Sequence, residues 1–228
     1  MKAIDALREL ATVTSGQWGM VTTAQAQKLG VSRLTLSRLA QGGHLERLSH
    51  SVYKVASAPS GEFDDLRAAW LSTEPGRLAW ERLDDRPGNV VVSGESAASL
   101  HGIGNFWATR NEFTTPVRRQ TQRPDIHFRT RELPAEDVTI REGLPVTTVE
   151  RTLADLVETR TQLDHVGDSL RDAARKSHID AKRLVQLLSP LAERNGHAKH
   201  NGMALFRQLQ EAAHLELLGM AVQIPSRT

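Results

Sequence analysis

Residues 20–55 read MVTTAQAQKLGVSRLTLSRLAQGGHLERLSHSVYKV, and this stretch decides the fold of the first part of the chain. The two threonines after the first valine are typical N-cap residues, and they begin a short helix that ends before Gly30. Ser32 begins a second helix, which runs to about Gln41. Two glycines stop that helix, and two apolar runs then flank a polar tip, as in a β-hairpin. This order of elements predicts a winged helix-turn-helix.

The surroundings of this stretch set its limits. Upstream, Ile4, Leu7 and Leu10 recur at helical spacing and predict a first helix. Downstream, the small, polar segment Ala56–Gly61 is typical of a linker between domains. We therefore predict a DNA-binding domain over residues 1–57 and a second domain over residues 62–228.

The second helix of the helix-turn-helix has two unlike faces. At 100° per residue, Leu36 and Leu39 share one face, and Leu34, Arg38 and Gln41 lie opposite. An arginine there matches guanine, a glutamine matches adenine, and an exposed leucine matches a thymine methyl group. We therefore predict that this outer face contacts base edges in the major groove. The alternatives are that Leu34 packs under the hairpin or that this is a protein-binding helix.

The rest of the chain mixes strands and helices. Short β-rich runs around Val91, Phe113, Phe128 and Thr139 are separated by proline and glycine, which predicts a sheet of several strands. Helical periodicity then dominates from about residue 147 onward. We predict an α+β fold class, with a mixed α/β second domain that ends in helices.

Composition excludes several classes of protein. The chain has 228 residues, no cysteine, 25% charged residues and a mean hydropathy of −0.39. The lack of cysteine removes disulfides, thiolate metal sites and cysteine nucleophiles. No apolar run approaches the roughly 20 residues of a membrane span, and the N-terminus lacks the apolar core of a secretory signal. We therefore expect a cytoplasmic protein with no membrane partner.

Charge is arranged in blocks, although the formal net charge is only +2. Residues 1–57 carry seven lysines and arginines against three carboxylates, and residues 61–96 carry four arginines against eight. Residues 117–131 carry five arginines against one carboxylate. Three of these arginines, Arg118, Arg119 and Arg123, lie in a proline-bounded segment that we expect to be exposed. We favour a second DNA contact for them, and the alternatives are a partner interface and a solvated loop tip.

Several strings resemble the AbiEi antitoxin family. TTAQA, GVSR, a leucine-rich helix and V-Y follow one another in the family's N-terminal domain, and VVVSGESAASLHGI, FTTP and GLPVTTVERTLADLV are similar to segments of its C-terminal domain. The resemblance covers most of residues 18–160. It implies a winged-helix repressor of its own operon, with operator double-stranded DNA and an AbiEii-like nucleotidyltransferase toxin as partners.

The resemblance also places residues in the DNA interface. On the helix-turn-helix it aligns Thr23, Ser32, Arg33, Thr35, Ser37 and Arg38. In the hairpin, the family's basic residue and glycine before V-Y are replaced by a Ser-His-Ser tip, which removes an expected minor-groove contact. The predicted DNA-binding set is Thr23, Ser32, Arg33, Leu34, Thr35, Ser37, Arg38, Gln41, Arg47, His50, Lys54, Arg118, Arg119 and Arg123.

Candidate catalytic groups do not assemble into a motif. Asp125 and Glu132 lack the lysine that a metal-dependent nuclease places two residues after its second carboxylate. Arg151 and Asp155 are four apart on one helix, which fits an exposed ion pair or a contact that ties domains or faces a partner. We therefore expect a non-enzyme without cofactor or metal.

Two alternatives stay open at this point. A winged-helix regulator that senses a small ligand, with no toxin partner, has the same N-terminal pattern. A nuclease relative that has lost its catalytic part is the other. A toxin gene next door or metal-dependent cleavage of DNA distinguishes these from an antitoxin.

Overall fold

The computed structural model describes residues 2–84, 90–106, 108–159, 161–176 and 179–214. The chain divides into two compact units, residues 1–90 and residues 91–228. Mixed helices and strands in both units confirm the predicted α+β class.

The first unit is a winged helix-turn-helix with two additional helices. Its helices are α1 (Ala3–Thr14), α2 (Thr23–Lys28), α3 (Arg33–Gln41), α4 (Asp64–Thr73) and α5 (Ala79–Asp84). Its strands are β1 (Met20–Thr22), β2 (Leu45–Arg47) and β3 (Val52–Val55). They form an antiparallel sheet in the order β1-β3-β2. Strand β1 is absent from the sequence prediction, because three residues are too few for a period-2 pattern to show.

Local sequence explains where the two central helices begin. The hydroxyl of Thr22 accepts a hydrogen bond from the Gln25 backbone N–H, and the Gln25 side chain accepts one from the Thr22 N–H, which makes a capping box. Ser32 caps α3 in the same way through the N–H of Thr35. Leu36 and Leu39 of α3 then pack into a core that includes Leu10 of α1. The predicted helix-turn-helix and hairpin are confirmed.

The end of the first unit differs from the predicted boundary at residues 57–62. Lys54 on β3 is buried and pairs with Asp64 at the start of α4. The indole N–H of Trp70 on α4 donates to the carbonyl of Val90 at 2.7 Å. These contacts hold α4 within the first unit, so the stretch that looks like a linker is a connection inside it.

The second unit is built on a five-stranded mixed sheet. Its strands are β4 (Val91–Val92), β5 (Asn111–Thr115), β6 (Ile126–Thr130), β7 (Val138–Arg141) and β8 (Leu144–Thr147), in the order β6-β5-β4-β8-β7. Pairs β5–β6 and β4–β8 are parallel, whereas β4–β5 and β7–β8 are antiparallel. Glu142 and Gly143 turn β7 into β8 with positive φ at both positions, 52° and 78°, as two-residue hairpin turns require.

Helices supply the main core of the second unit. They are α6 (Gly94–His101), α7 (Val149–Glu158), α8 (Leu163–Lys176), α9 (Ala181–Leu188) and α10 (Gly202–Ala212), with short 3₁₀ turns before β7 and after α9. Leu153, Leu170, Leu184 and Phe206, one from each of the last four helices, are all fully buried in one cluster. The sequence prediction began α7 at Thr147, but that residue ends β8, and Thr148 is the N-cap.

Candidate nucleic-acid interface

Helix α3 presents the outer face that its periodicity predicts. Leu36 and Leu39 are buried, and Arg33, Arg38 and Gln41 are exposed. Leu34 is 60% exposed, which is unusual for a leucine on a helix with an otherwise regular apolar stripe. Packing of Leu34 under the hairpin is therefore excluded within the first unit.

Among the small polar residues predicted for the interface, Thr23, Ser32 and Thr35 have hydrogen-bond partners within the first unit. Thr23 donates to the carbonyl of Ser51 from both its backbone N–H, at 2.8 Å, and its hydroxyl, at 3.3 Å. This ties the start of α2 to the tip of the hairpin. The hydroxyls of Ser32 and Thr35 lie 2.9 Å apart at the start of α3, and Ser37 is partly buried. The hydrogen bonds of Thr23, Ser32 and Thr35 thus help to fix the starts of α2 and α3.

Arg47 organises the hairpin tip. Its guanidinium donates to the carbonyl of Ser49 at 3.2 Å and to that of His50 at 3.0 Å, and it lies 3.3 Å from the ring Nδ1 of His50. A tip without glycine thus has its carbonyls bonded by a side chain of the preceding strand. Arg47 and His50 are both exposed, so the guanidinium charge of Arg47 still faces solvent.

Lys54 was predicted to bind DNA, and the structure corrects this assignment. The residue is 2% exposed, and its ammonium donates to the carbonyl of Pro59 at 2.7 Å and to the carboxylate of Asp64. Burial opposes ionisation of Asp64, but hydrogen bonds from the Gly61 N–H and from Lys54 outweigh it and hold the pKa of Asp64 below its ordinary value. Lys54 therefore forms an ion pair in the interior of the first unit.

The segment between β5 and β6 is partly exposed. Arg118 is exposed and Arg119 is half-buried. Arg123 donates to both oxygens of Asp125, at 3.1 and 2.5 Å, and this hydrogen bonding lowers the pKa of Asp125 against the opposing effect of burial. The charge of Arg123 is thus locally balanced, which weakens its assignment to DNA relative to Arg118.

The two remaining arginines of the basic block 117–131 face inward. Arg129 on β6 and Arg131 just after that strand donate to Oδ1 of Asp155 at 3.3 and 2.6 Å, and both also pair with Glu158. Arg151 donates to the same Oδ1 at 2.6 Å. Asp155 is 1% exposed and Arg151 is 8% exposed. The prediction that these two residues form an exposed ion pair is therefore wrong.

This arginine–carboxylate cluster (Arg129, Arg131, Arg151, Asp155 and Glu158) ties β6 to α7. Burial raises the pKa of Glu158, but hydrogen bonding and charge from Arg131 outweigh this effect, so the net shift is downward. The five residues hold three positive and two negative charges, and all five are at most half exposed. Their function is to hold the sheet against the helix.

Comparison with known families agrees with this architecture. Residues 8–56 match the family described as transcriptional regulator, AbiEi antitoxin, and residues 90–199 match the AbiEi antitoxin C-terminal domain. The two matches follow in the order that the family resemblance implies and together span well over half of the chain. This chain belongs to the AbiEi antitoxin family.

A solved structure shows the same fold as this AbiEi chain. The crystal structure of the RV2827C protein from Mycobacterium tuberculosis aligns with a TM-score of 0.54 at 17% identity, covering 98% of this chain and 83% of that one. At this identity the likeness concerns the fold alone. The search of curated protein sequences finds no match.

The family assigns this AbiEi chain a coarse role. Its two domains are those of a transcriptional regulator and an antitoxin, so the chain is an antitoxin with a DNA-binding role. The family is regulatory and not enzymatic. Within the described residues, no group of three histidine or acidic side chains is placed to hold a metal ion. None of the described helices is long and apolar enough to cross a membrane.

Sequence reasoning missed the arginine–carboxylate cluster of this AbiEi chain for a physical reason. Arg129 and Arg131 lie between 24 and 29 residues from the carboxylates that bind them. Local patterns report helix faces and turns, and a cross-link of this span leaves no local signal. The only hint was the i,i+4 spacing of Arg151 and Asp155.

Proposed function

We propose that this chain binds operator DNA of its own operon through α3 and the β2–β3 hairpin, and thereby represses it. We further propose that its second unit neutralises a partner nucleotidyltransferase toxin of the AbiEii type. The observation that best supports DNA binding is the composition of the outer face of α3. This face presents Arg33, Leu34, Arg38 and Gln41 to solvent in a winged helix-turn-helix of an AbiEi protein.

The chemistry of this face suits the major groove. Arg38 offers a bidentate donor to guanine, Gln41 offers a donor and an acceptor to adenine, and Leu34 offers an apolar contact to a thymine methyl. Arg33 lies in the first turn of α3, and we assign it to a phosphate contact. Exposure of a large apolar side chain to water is unfavourable, and contact with a thymine methyl group would remove the Leu34 side chain from water.

The hairpin supports the same proposal. Arg47 and His50 are exposed in a hairpin whose tip is hydrogen-bonded to Thr23 at the start of α2, so the structure fixes the hairpin next to the helix-turn-helix. Arg118 and Arg119 are proposed as a further phosphate contact, and Arg123 as a weaker one because Asp125 pairs with it.

The test is a binding titration with duplex DNA from directly upstream of the gene, alongside a scrambled duplex of equal length. A specific operator complex is expected at a Kd of about 10⁻⁸ to 10⁻¹¹ M, at least about 10³-fold tighter than the scrambled duplex. Equal affinity for both duplexes would contradict operator binding by this chain.

The toxin arm uses the neighbouring gene as the candidate toxin. Co-expression of the full chain should restore growth, and a full-length R33A/R38A variant should also restore it while losing repression. Residues 91–228, which form a compact unit, should neutralise the toxin without repressing. A chain that represses but never restores growth would favour a regulator without a toxin partner.

A further inference from the structure

Residues 57–84, which lie between the two family matches, have a definite place in the structure. The first match ends at residue 56 and the second begins at residue 90. Helices α4 and α5 lie between them and belong to the first compact unit. Neither domain description gives this segment a function, and its contacts with the helix-turn-helix suggest one.

A pair of buried glutamines lies at the centre of these contacts. Gln17, in the turn after α1, is 0% exposed, and Gln25 on α2 is 2% exposed. Their side-chain amides bond to each other reciprocally: Gln17 Nε2 donates to Gln25 Oε1 at 2.8 Å, and Gln25 Nε2 donates to Gln17 Oε1 at 3.3 Å. Each amide has two N–H donors and two acceptor sites, so the pair leaves four of these free for other partners.

All four remaining sites are used. Gln17 donates to the carbonyl of Met20 at 3.2 Å, and Gln25 accepts from the N–H of Thr22 at 2.9 Å, so one end of the pair holds β1 and the start of α2. The other end reaches the α4–α5 segment. The Ala79 N–H donates to Gln17 Oε1 at 2.9 Å, and Gln25 Nε2 donates to the carbonyl of Arg77 at 2.8 Å.

Two further bonds join the same surfaces. The hydroxyl of Thr22 and the ammonium of Lys28 each donate to a carbonyl at 2.5 Å, those of Pro75 and Gly76 respectively. Three consecutive carbonyls, residues 75–77, therefore all accept from the cap and body of α2. These bonds fix the position of α2 relative to residues 75–77, which a loop without a structural role would not do.

The energetic consequence is that α2 and the α4–α5 segment are coupled. A fully bonded buried polar network rigidifies its members, and loss of one member leaves the others buried without partners. Because α2 packs against α3 in the helix-turn-helix, an error in the placement of α2 becomes an error in the angle at which α3 enters the groove.

We propose that residues 64–84 are a brace for the helix-turn-helix, and that Gln17 and Gln25 are the positioning residues through which the brace sets operator discrimination. This inference rests on the proposed DNA binding. It makes the DNA-binding module longer than the 8–56 match, and it places two residues that do not face DNA among those that determine specificity.

The test compares two matched full-length variants of α2. Gln25→Met removes the network, and Gln27→Met makes the same substitution at an exposed position of the same helix. For Gln25→Met we expect operator affinity to fall by about 10-fold or more, with affinity for scrambled DNA within about 2-fold of wild type. Gln27→Met should bind both duplexes as wild type does. Wild-type discrimination in Gln25→Met would overturn the proposal.

A double variant tests the glutamine pair as a whole. Gln17→Met/Gln25→Met removes both amides, but the Met20 and Arg77 carbonyls and the Thr22 and Ala79 N–H groups then all lose these partners. Its Tm should therefore be no higher than that of Gln25→Met. Its operator discrimination should stay lost, because the link to residues 77–79 is gone. Recovery of operator discrimination, or a double variant that does not fold, would assign the pair to core structure and overturn the positioning role.

Hydrogen exchange gives a readout that needs no DNA. Amides of residues 23–41 should exchange faster in the folded double variant than in wild type, and those of β2 and β3 should not. If wild type fails to bind the upstream duplex, the proposed function fails, and the exchange rates still decide whether the brace orders α2 and α3. Unchanged exchange would contradict the brace.

Discussion

Two arginine-bearing surfaces of this molecule differ in what surrounds them. Arg33 and Arg38 on α3 are exposed on the outer face of the helix, whereas Arg129 on β6 and Arg131 just after it are partly buried against Asp155 and Glu158. Residues 1–57 and residues 117–131 each carry an excess of four positive charges. Equal net charge in two stretches therefore does not imply equal capacity to bind an anion.

The difference has a physical cause. A carboxylate that accepts hydrogen bonds from a guanidinium neutralises the charge of the guanidinium and occupies its N–H donors. Both groups also lose hydration when they are buried. A guanidinium on a solvated helix face keeps its donors available for phosphate or guanine. The comparison predicts that mutations of the carboxylate-paired arginines change stability, and that mutations of the exposed arginines on α3 change DNA affinity.

The largest expected effect is at Asp155. Asp155→Ala should lower the free energy of unfolding by about 3–5 kcal/mol, because the buried guanidinium of Arg151 loses its 2.6 Å bond and keeps the longer 3.8 Å contact to Glu158. Urea denaturation of the full chain measures this. Asp125→Ala, which removes the more exposed partner of Arg123, should cost about 1 kcal/mol or less. Similar losses in the two variants would break the distinction between buried and exposed pairs.

A smaller effect, on binding and not on folding, is expected at Arg38. Arg38→Ala should weaken operator binding by about 1–3 kcal/mol and leave scrambled-DNA binding nearly unchanged, because a base contact carries discrimination. Fluorescence anisotropy with both duplexes measures this, and Arg129→Ala is the matched control that should leave both affinities unchanged. Equal losses on the two duplexes would assign Arg38 to phosphate.

The helix-turn-helix could be predicted from sequence because its signals are local. The capping box at Thr22, the Ser32 cap and the glycine pair after Gln41 all lie within a few residues of the elements that they define. The burial of Lys54 and the inward direction of Arg129 could not, since their partners are distant in sequence or follow an apparent linker. The same reason hides the Gln17–Gln25 pair, whose far contacts lie 52 and 62 residues away.

Arg118 and Arg119 test the boundary between the two kinds of arginine. If they contact phosphates, the double variant R118A/R119A should reduce the slope of log affinity against log salt by about 0.9 for each lost contact. Operator titrations at several salt concentrations measure this slope. An unchanged slope with impaired toxin neutralisation would move these residues to the toxin interface.

The smallest expected effect is a pH dependence from Glu158. Since the pKa of Glu158 is lowered in the folded state, its contribution to stability is complete above the unfolded pKa and is lost as pH falls through the folded pKa. Tm should therefore decrease on acidification below about pH 4.5, and E158Q should show a shallower decrease. E132Q, at an exposed position, should follow wild type. Identical curves of Tm against pH for E158Q and wild type would show that Glu158 does not contribute to the stability of the cluster.

Hydrogen exchange of the full chain with and without its upstream duplex tests the central claim most directly, because it reports on both arginine surfaces in one experiment. The account predicts slower exchange on DNA binding in Arg33–Gln41 and in the β2–β3 hairpin, with Ile126–Thr130 unchanged. A scrambled duplex at the same concentration should produce much less protection. Protection confined to residues 91–228, or equal protection by both duplexes, would contradict operator recognition by α3.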